Sequence, residues 1–223
     1  MKKTIYLALF CCLLLFQSCF EIIEQVFLKA DGSGNFQLTI NLSQSKTKLN
    51  SVIQMKTVNG HDVPSKEELK NKISEIEKAV AKTPGITAVK TTTDFDNYIA
   101  TISCNFNKVT QLNAVVKNVY VNENGKLKGV EKTFDYDAAT NTFTRLNKFV
   151  LKDDYKKMSN ADKEIFATAN YTTIYKFETD VKAAANTETK IAANKKAVML
   201  KLNALDIITN KKSVENKITL TKL

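Results

Sequence analysis

The stretch EIIEQVFLKADGSGNFQLTINL, residues 21–42, decides the fold. Ile22 to Ala30 reads as a strand. Asp31-Gly32-Ser33-Gly34 reads as a turn, because glycine supplies a positive φ without steric cost. Phe36, Leu38, Ile40 and Leu42 then alternate with Gln37, Thr39 and Asn41, the period-2 pattern of a half-buried strand. Strand, turn and alternating strand together predict a hairpin. Asp31, Ser33 and Asn35 also imitate the start of a calcium loop. The sixth position is Phe36 where such a loop needs Gly, and the twelfth is Leu42 where it needs Glu, so the turn reading wins.

Working toward the C-terminus, Leu49, Val52 and Ile53 suggest a short helix before a loop at Asn59-Gly60-His61. Ser65 and Glu68 have capping-box spacing. Leu69, Ile73, Ile76 and Val80 fall on one face of the helix that follows, and Pro84-Gly85 end it. Residues 86–93 and 97–106 make a second hairpin, with Tyr98, Ala100, Ile102, Cys104 and Phe106 on one face. Asn107 is the expected cap of a second helix carrying Val109, Leu112, Val116 and Val119, and Asn124-Gly125 turns the chain. Lys132 to Asp137 and Thr142 to Leu146 suggest a third hairpin, and Ser159 opens a short helix with Ile165 and Phe166. Tyr171, Thr173, Tyr175 and Phe177 mark a strand, Val181 to Asn194 reads equally as helix or strand, and Val198, Leu200 and Leu202 alternate. One helical turn at Leu205 to Ile208 and a last strand at Ile218 and Leu220 close the chain. The expected class is α+β: antiparallel hairpins forming a sheet with two main amphipathic helices packed on it.

Toward the N-terminus the sequence reads as an address. Lys2 and Lys3 precede the uncharged apolar run Ile5 to Phe16, which is shorter than the roughly 20 residues of a membrane-spanning helix and matches a signal-peptide core. Leu15-Phe16-Gln17-Ser18-Cys19 looks like a bacterial lipobox, in which the thiol is diacylated, the leader is cut and the new amine is acylated. The loose Phe16 and Gln17, with a Lys- and Asn-rich composition, resemble lipoproteins of Bacteroidota-type bacteria. The alternative is an ordinary secretory leader with an incidental cysteine. The expected organisation is a signal peptide at 1–18, a lipidated Cys19 with a short tether at 19–23, and one extracytoplasmic domain at 24–223, with a subdivision near 122–130 as an alternative. By analogy, the absence of Asp directly after Cys19 makes the periplasmic face of the outer membrane the default location. Cys11 and Cys12 leave with the leader, so Cys104 has no intrachain disulfide partner.

Composition agrees with a folded domain: 43% hydrophobic and 25% charged residues exclude a disordered or multi-span membrane chain. The formal net charge is +10, and residues 181–223 concentrate it, with nine lysines against three carboxylates. Lys195, Lys196, Lys211 and Lys212 are the local peaks and the candidate headgroup contacts, the plain alternative being a solvated lysine surface. Nucleic acid is not an expected partner, since Arg145 is the one guanidinium and no aromatic residues interleave with the lysines.

The Asp31-Gly32-Ser33-Gly34 hairpin, the Leu42-Ser43 strand end and Phe106-Asn107 leading to Gln111-Leu112-Asn113 form a pattern with the closing strands around Asn186. This pattern resembles a poorly characterised family of bacterial envelope lipoproteins and, more distantly, the LppM-type lipoprotein domain. It covers most of residues 20–223 and departs at Glu178-Thr179, where a proline-containing turn is expected. The resemblance implies an extracytoplasmic lipoprotein domain that interacts with lipids or envelope glycolipids, and it brings no catalytic residues.

The residues themselves carry no catalytic constellation. Cys104 lies mid-strand on an apolar face, and His61, the one histidine, lies in a loop. Structural zinc takes four Cys or His; with Cys11 and Cys12 in the expected leader and Cys19 the expected lipid carrier, only Cys104 and His61 remain. Asp153, Asp154, Asp162 and Glu164 sit among Lys152, Lys156, Lys157 and Lys163, a solvated face. The expectation is a membrane-anchored, non-enzymatic protein without cofactor or metal that binds a lipid-like ligand. The alternatives are an assembly factor docking another envelope protein and, third, an unrecognised hydrolase.

Overall fold

The computed structural model describes residues 20–117, 132–146 and 152–222. The expected leader, Cys19, Val119, the expected Asn124-Gly125 turn and the alternative subdivision at 122–130 lie outside the described residues, as does the side chain of Asp162.

The opening hairpin is β1 (Glu21–Leu28) and β2 (Gly34–Asn41), paired antiparallel throughout. Its turn is built by Asp31, whose Oδ1 accepts from the Ser33 backbone N–H at 2.9 Å and the Ser33 hydroxyl at 2.6 Å. Gly32 supplies φ +81°. β1 begins at Glu21, so residues 21–23 are strand and not tether. Next comes α1 (Lys46–Val52). Asn59 and Gly60, with φ of 52° and 81°, join β3 (Thr57–Val58) to β4 (His61–Asp62) where only a loop is expected. Two positive φ values in a two-residue connection match the twist of paired strands.

α2 (Lys66–Ala81) carries the predicted capping box: Glu68 N–H donates to the Ser65 hydroxyl at 3.2 Å and Ser65 N–H donates to the Glu68 carboxylate at 2.7 Å. β5 (Ile86–Asp94) and β6 (Ile99–Phe106) form the second hairpin. Residues 112–117 are helical, and this helix is α3. Asn107 does not cap it. The Gln111 side chain folds back instead and accepts from the Asn107 and Lys108 N–H groups, both at 3.0 Å. β7 (Phe134–Asp137) and β8 (Thr142–Arg145) form the third hairpin. α4 (Lys152–Lys157) and α5 (Asn160–Ala167) lead into β9 (Asn170–Phe177). The ambiguous stretch 181–194 contains β10 (Val181–Ala184) and β11 (Lys190–Ile191), so strand wins there. β12 (Ala197–Asn203), α6 (Ala204–Ile208) and β13 (Asn216–Leu220) complete the chain.

The class is α+β. A seven-stranded sheet has the order β11-β12-β9-β1-β2-β6-β5, and a four-stranded sheet has the order β10-β13-β8-β7. Both consist of antiparallel pairs except at one junction, where β1 and β9 run parallel in full register, Glu21 opposite Asn170 and Leu28 opposite Phe177. Parallel neighbours need a long crossover, here the chain between β1 and β9. The inner face of the large sheet is a grid of rungs. Tyr175, Val26, Phe36 and Cys104 share one, and Thr173, Glu24, Leu38 and Ile102 share the next. α2 lies over the β5 side of this face, and the small sheet covers the β9 side. There Phe143 meets Tyr175 and Phe177 with ring centroids 5.0 and 5.7 Å apart.

Candidate functional site

Two features lie side by side on the inner face of the large sheet, Glu24 of one sharing a rung with Leu38 of the other. The first is a groove of about 170 Å³ between α2 and the sheet. Its floor is three rungs of β2 and β6: Phe36 with Cys104, Leu38 with Ile102, and Ile40 with Ala100. Val80, Ile76 and Ile73 of α2 form the roof, and Val115 and Val116 of α3 close one wall. The helix periodicity that predicts α2 also places these side chains, since positions four and three apart share a face. The groove is blind at one end and open at the other. Val80, Cys104 and Phe36 are buried at the first rung, whereas Ile40 at the third is 43% exposed. The side chains of α2 at Ile73 and Ile76 are only half-buried, because the groove separates them from the strands. On the rim, the Thr91 hydroxyl of β5 donates to the Glu77 carboxylate of α2 and ties roof to floor.

The second feature is a buried polar cluster. Glu24 of β1 receives a bidentate ion pair from Arg145 of β8, with Nε to Oε1 and Nη2 to Oε2 both at 2.9 Å. The Tyr171 hydroxyl donates to Oε2 at 2.6 Å and the Tyr175 hydroxyl donates to Oε1. Arg145 also donates to the Leu146 carbonyl and stacks 5.0 Å above the Phe134 ring. Burial alone would raise the Glu24 carboxyl, but the Arg145 charge and the three donors overcome it and hold it below the ordinary carboxylate range. Burial and the Glu24 charge push both tyrosine hydroxyls well upward. Each carboxylate oxygen thus carries two donors. The cluster bolts the two sheets together and offers no group for proton transfer.

The floor, roof and wall of the groove offer apolar contact, and the carboxylate on its rim, Glu77, accepts from Thr91. Burial pushes the Cys104 thiol up to about 11, so at neutral pH it remains a small apolar wall. His61 lies on the separate β3–β4 hairpin, in a different sheet from Cys104. Asp153 of the acidic run is exposed and pairs with Lys156 at 3.1 Å.

The four lysines singled out from charge alone fall in two separate turns. Lys195 and Lys196 precede the first residue of β12, and Lys211 and Lys212 follow α6, beyond its last residue. Lys196 pairs with Asp180 and Lys212 with Glu188, both at 2.8 Å, while Lys195 and Lys211 are exposed.

Sequence reasoning passed over both features, although signals for the cluster exist. Arg145 is the one arginine in a chain with 33 basic residues, and Glu24 interrupts the inward series Ile22, Val26 and Leu28. The groove has no such signal, because its residues look like ordinary core.

The chain matches no protein-family model, and no curated protein matches it in sequence. Among solved structures, it is similar to the folded domain of the LppM protein of Mycobacterium tuberculosis, determined by NMR. The identity is 13%, the match covers 92% of this chain and 91% of that one, and the TM-score is 0.41. The α+β assignment rests on the strand pairing described above and not on this likeness.

Proposed function

We propose that the protein is an envelope lipoprotein, anchored through Cys19, whose domain binds an acyl chain without catalysing a reaction. The groove carries this reading: it is apolar on floor, roof and wall, blind at Cys104 and open at Ile40. A cavity of about 150 Å³ lined by Leu, Ile and Phe stays dry and accepts a benzene-sized guest. A groove of about 170 Å³ therefore seats the last few carbons of a chain whose remainder leaves past Ile40. Each methylene taken from water contributes about 0.8 kcal/mol, so a chain held by a few carbons exchanges readily.

The test is to produce residues 20–223 without detergent and analyse the organic extract by mass spectrometry. The expected result is a stoichiometric amphiphile from the wild type and none from Leu38→Trp, which fills the middle rung. An empty extract from a folded wild-type protein would overturn the reading and favour docking of another envelope protein, to be sought by crosslinking.

A further inference from the structure

We propose that the open end of the groove faces the bilayer, so that the acyl chain enters from the leaflet holding the anchor and not from water. This rests on the reading of the groove as an acyl-chain site and of Cys19 as the lipidated residue. The argument is one of register. Ile22, near the start of β1, lies opposite Ile40, and Ile40 lies opposite Ala100, the outermost rung of the groove. Val26, further along β1, lies opposite Phe36 at the blind end. The chain ahead of β1 therefore joins the domain at the groove's mouth.

It joins without slack. The Phe20 ring packs edge-on against Phe166 with centroids 6.1 Å apart, and the Phe20 carbonyl accepts from the Asn170 N–H at 2.9 Å. Cys19 is the next residue, and one peptide link spans about 3.8 Å. A lipid on Cys19 thus brings this end of the sheet to the headgroups.

The surface there suits an anionic interface. Residues 42–61 contain Lys46, Lys48 and Lys56 and no Asp or Glu. The segment is pinned to this end by Lys46 Nζ donating to Asn97 Oδ1 at 3.1 Å and by the Tyr98 hydroxyl donating to Asn50 Oδ1 at 2.6 Å. Two large apolar side chains stand exposed beside these lysines, Ile40 and Met55, the latter 51% exposed. Apolar groups among lysines insert at the boundary of headgroups and acyl chains. Two carboxylates at the same end are engaged: Asp94 accepts from Asn97, and Glu21 pairs with Lys201 at 3.0 Å. Asp96 in that turn and the exposed Asp62, opposite Thr57, add two negative charges against the three lysines. Lys195 and Lys196 lie at the opposite end, next to Ala197, which pairs with Lys176 beside Phe27. Of the four lysines chosen from charge alone, Lys211 and Lys212 are the pair on the anchored side.

The chain has no Trp, so a single introduced one reports without background. The full chain, recovered from the membrane fraction, is reconstituted in vesicles of phosphatidylethanolamine and phosphatidylglycerol with brominated acyl chains. Met55→Trp, exposed in the lysine-bearing segment and outside the groove lining, should lose most of its emission. Lys29→Trp, at the other end of β1, should keep it. An unquenched Met55→Trp, a quenched Lys29→Trp, or recovery of the chain only in soluble form overturns the proposal. The organic extract of residues 20–223, produced without anchor, detergent or vesicles as described above, separates the two ideas. A bound lipid with an unquenched Met55→Trp leaves the groove reading intact and removes bilayer entry. An empty extract with a quenched Met55→Trp leaves the orientation and removes the acyl-chain reading.

Discussion

Glu24 and Arg145 are 121 residues apart in sequence and share one buried ion pair between the two sheets. Breaking such a pair leaves an uncompensated charge in a low-dielectric site. Glu24→Gln preserves shape and removes charge, so it should destabilise the fold by about 3–5 kcal/mol in chemical denaturation. The pH dependence has a definite sign. The folded carboxyl ionises more readily than its ordinary value of 4.5. Its contribution is therefore complete above that value and is lost as pH falls through the lower folded one. Wild-type stability should decline on acidification below about 4.5, and the decline should be shallower in Glu24→Gln. Equal slopes would mean that other carboxylates dominate acid unfolding. An acid on an inward strand position and a lone arginine are legible in the sequence as anomalies. That they are each other's partner is not, because nothing local relates β1 to β8.

Local chemistry accounts for most of the elements. The Ser65–Glu68 box, the Asp31 turn and the alternation in β2, β9 and β12 are encoded within a few residues, and they form where the sequence places them. Asn59-Gly60 carries a hairpin signal that is easily read as loop, because the strands it joins are two residues long. The start of α3 differs for a physical reason. Gln111, one turn on, reaches back to two free N–H groups and takes the role expected of Asn107. Asn113 shows the same substitution of side chain for backbone at larger range. Its Oδ1 accepts from the Thr133 and Phe134 N–H groups, both at 2.7 Å, and its Nδ2 donates to the Phe134 carbonyl at 2.9 Å. It serves as one residue of an absent strand beside β7. Asn113→Ala strands these buried groups, each costing about 1–3 kcal/mol. Hydrogen exchange should then rise at Thr133 and Phe134 ahead of the rest of the small sheet; unchanged protection there would show that water replaces the amide.

At the scale of the molecule, the inner face of the large sheet has two different covers. The small sheet meets it through interlocking aromatic rings, and α2 stands off over β2 and β6 and leaves the groove. Cys104 lies at the blind end and serves as a probe of it. With its thiol pushed up to about 11 and buried, it should alkylate slowly in the native protein. A bound acyl chain should slow it further, in proportion to occupancy. Labelling followed by mass spectrometry checks this, and a rate indifferent to added lipid would place the ligand elsewhere.

Helices, hairpin turns and the α+β class follow from the sequence by itself, because caps, turn residues and hydrophobic periods act over a few positions. The expected leader and the proposed lipidation at Cys19 likewise rest on linear signals. Which strands become neighbours is a separate matter. The parallel β1–β9 junction, the Glu24–Arg145 bolt and the gap under α2 each depend on residues far apart in the chain. A core residue and a groove residue share the same composition and period; only the distance to the facing element distinguishes them. The end of the sheet on which the groove opens is decided by strand register, which exists only once the sheet has formed.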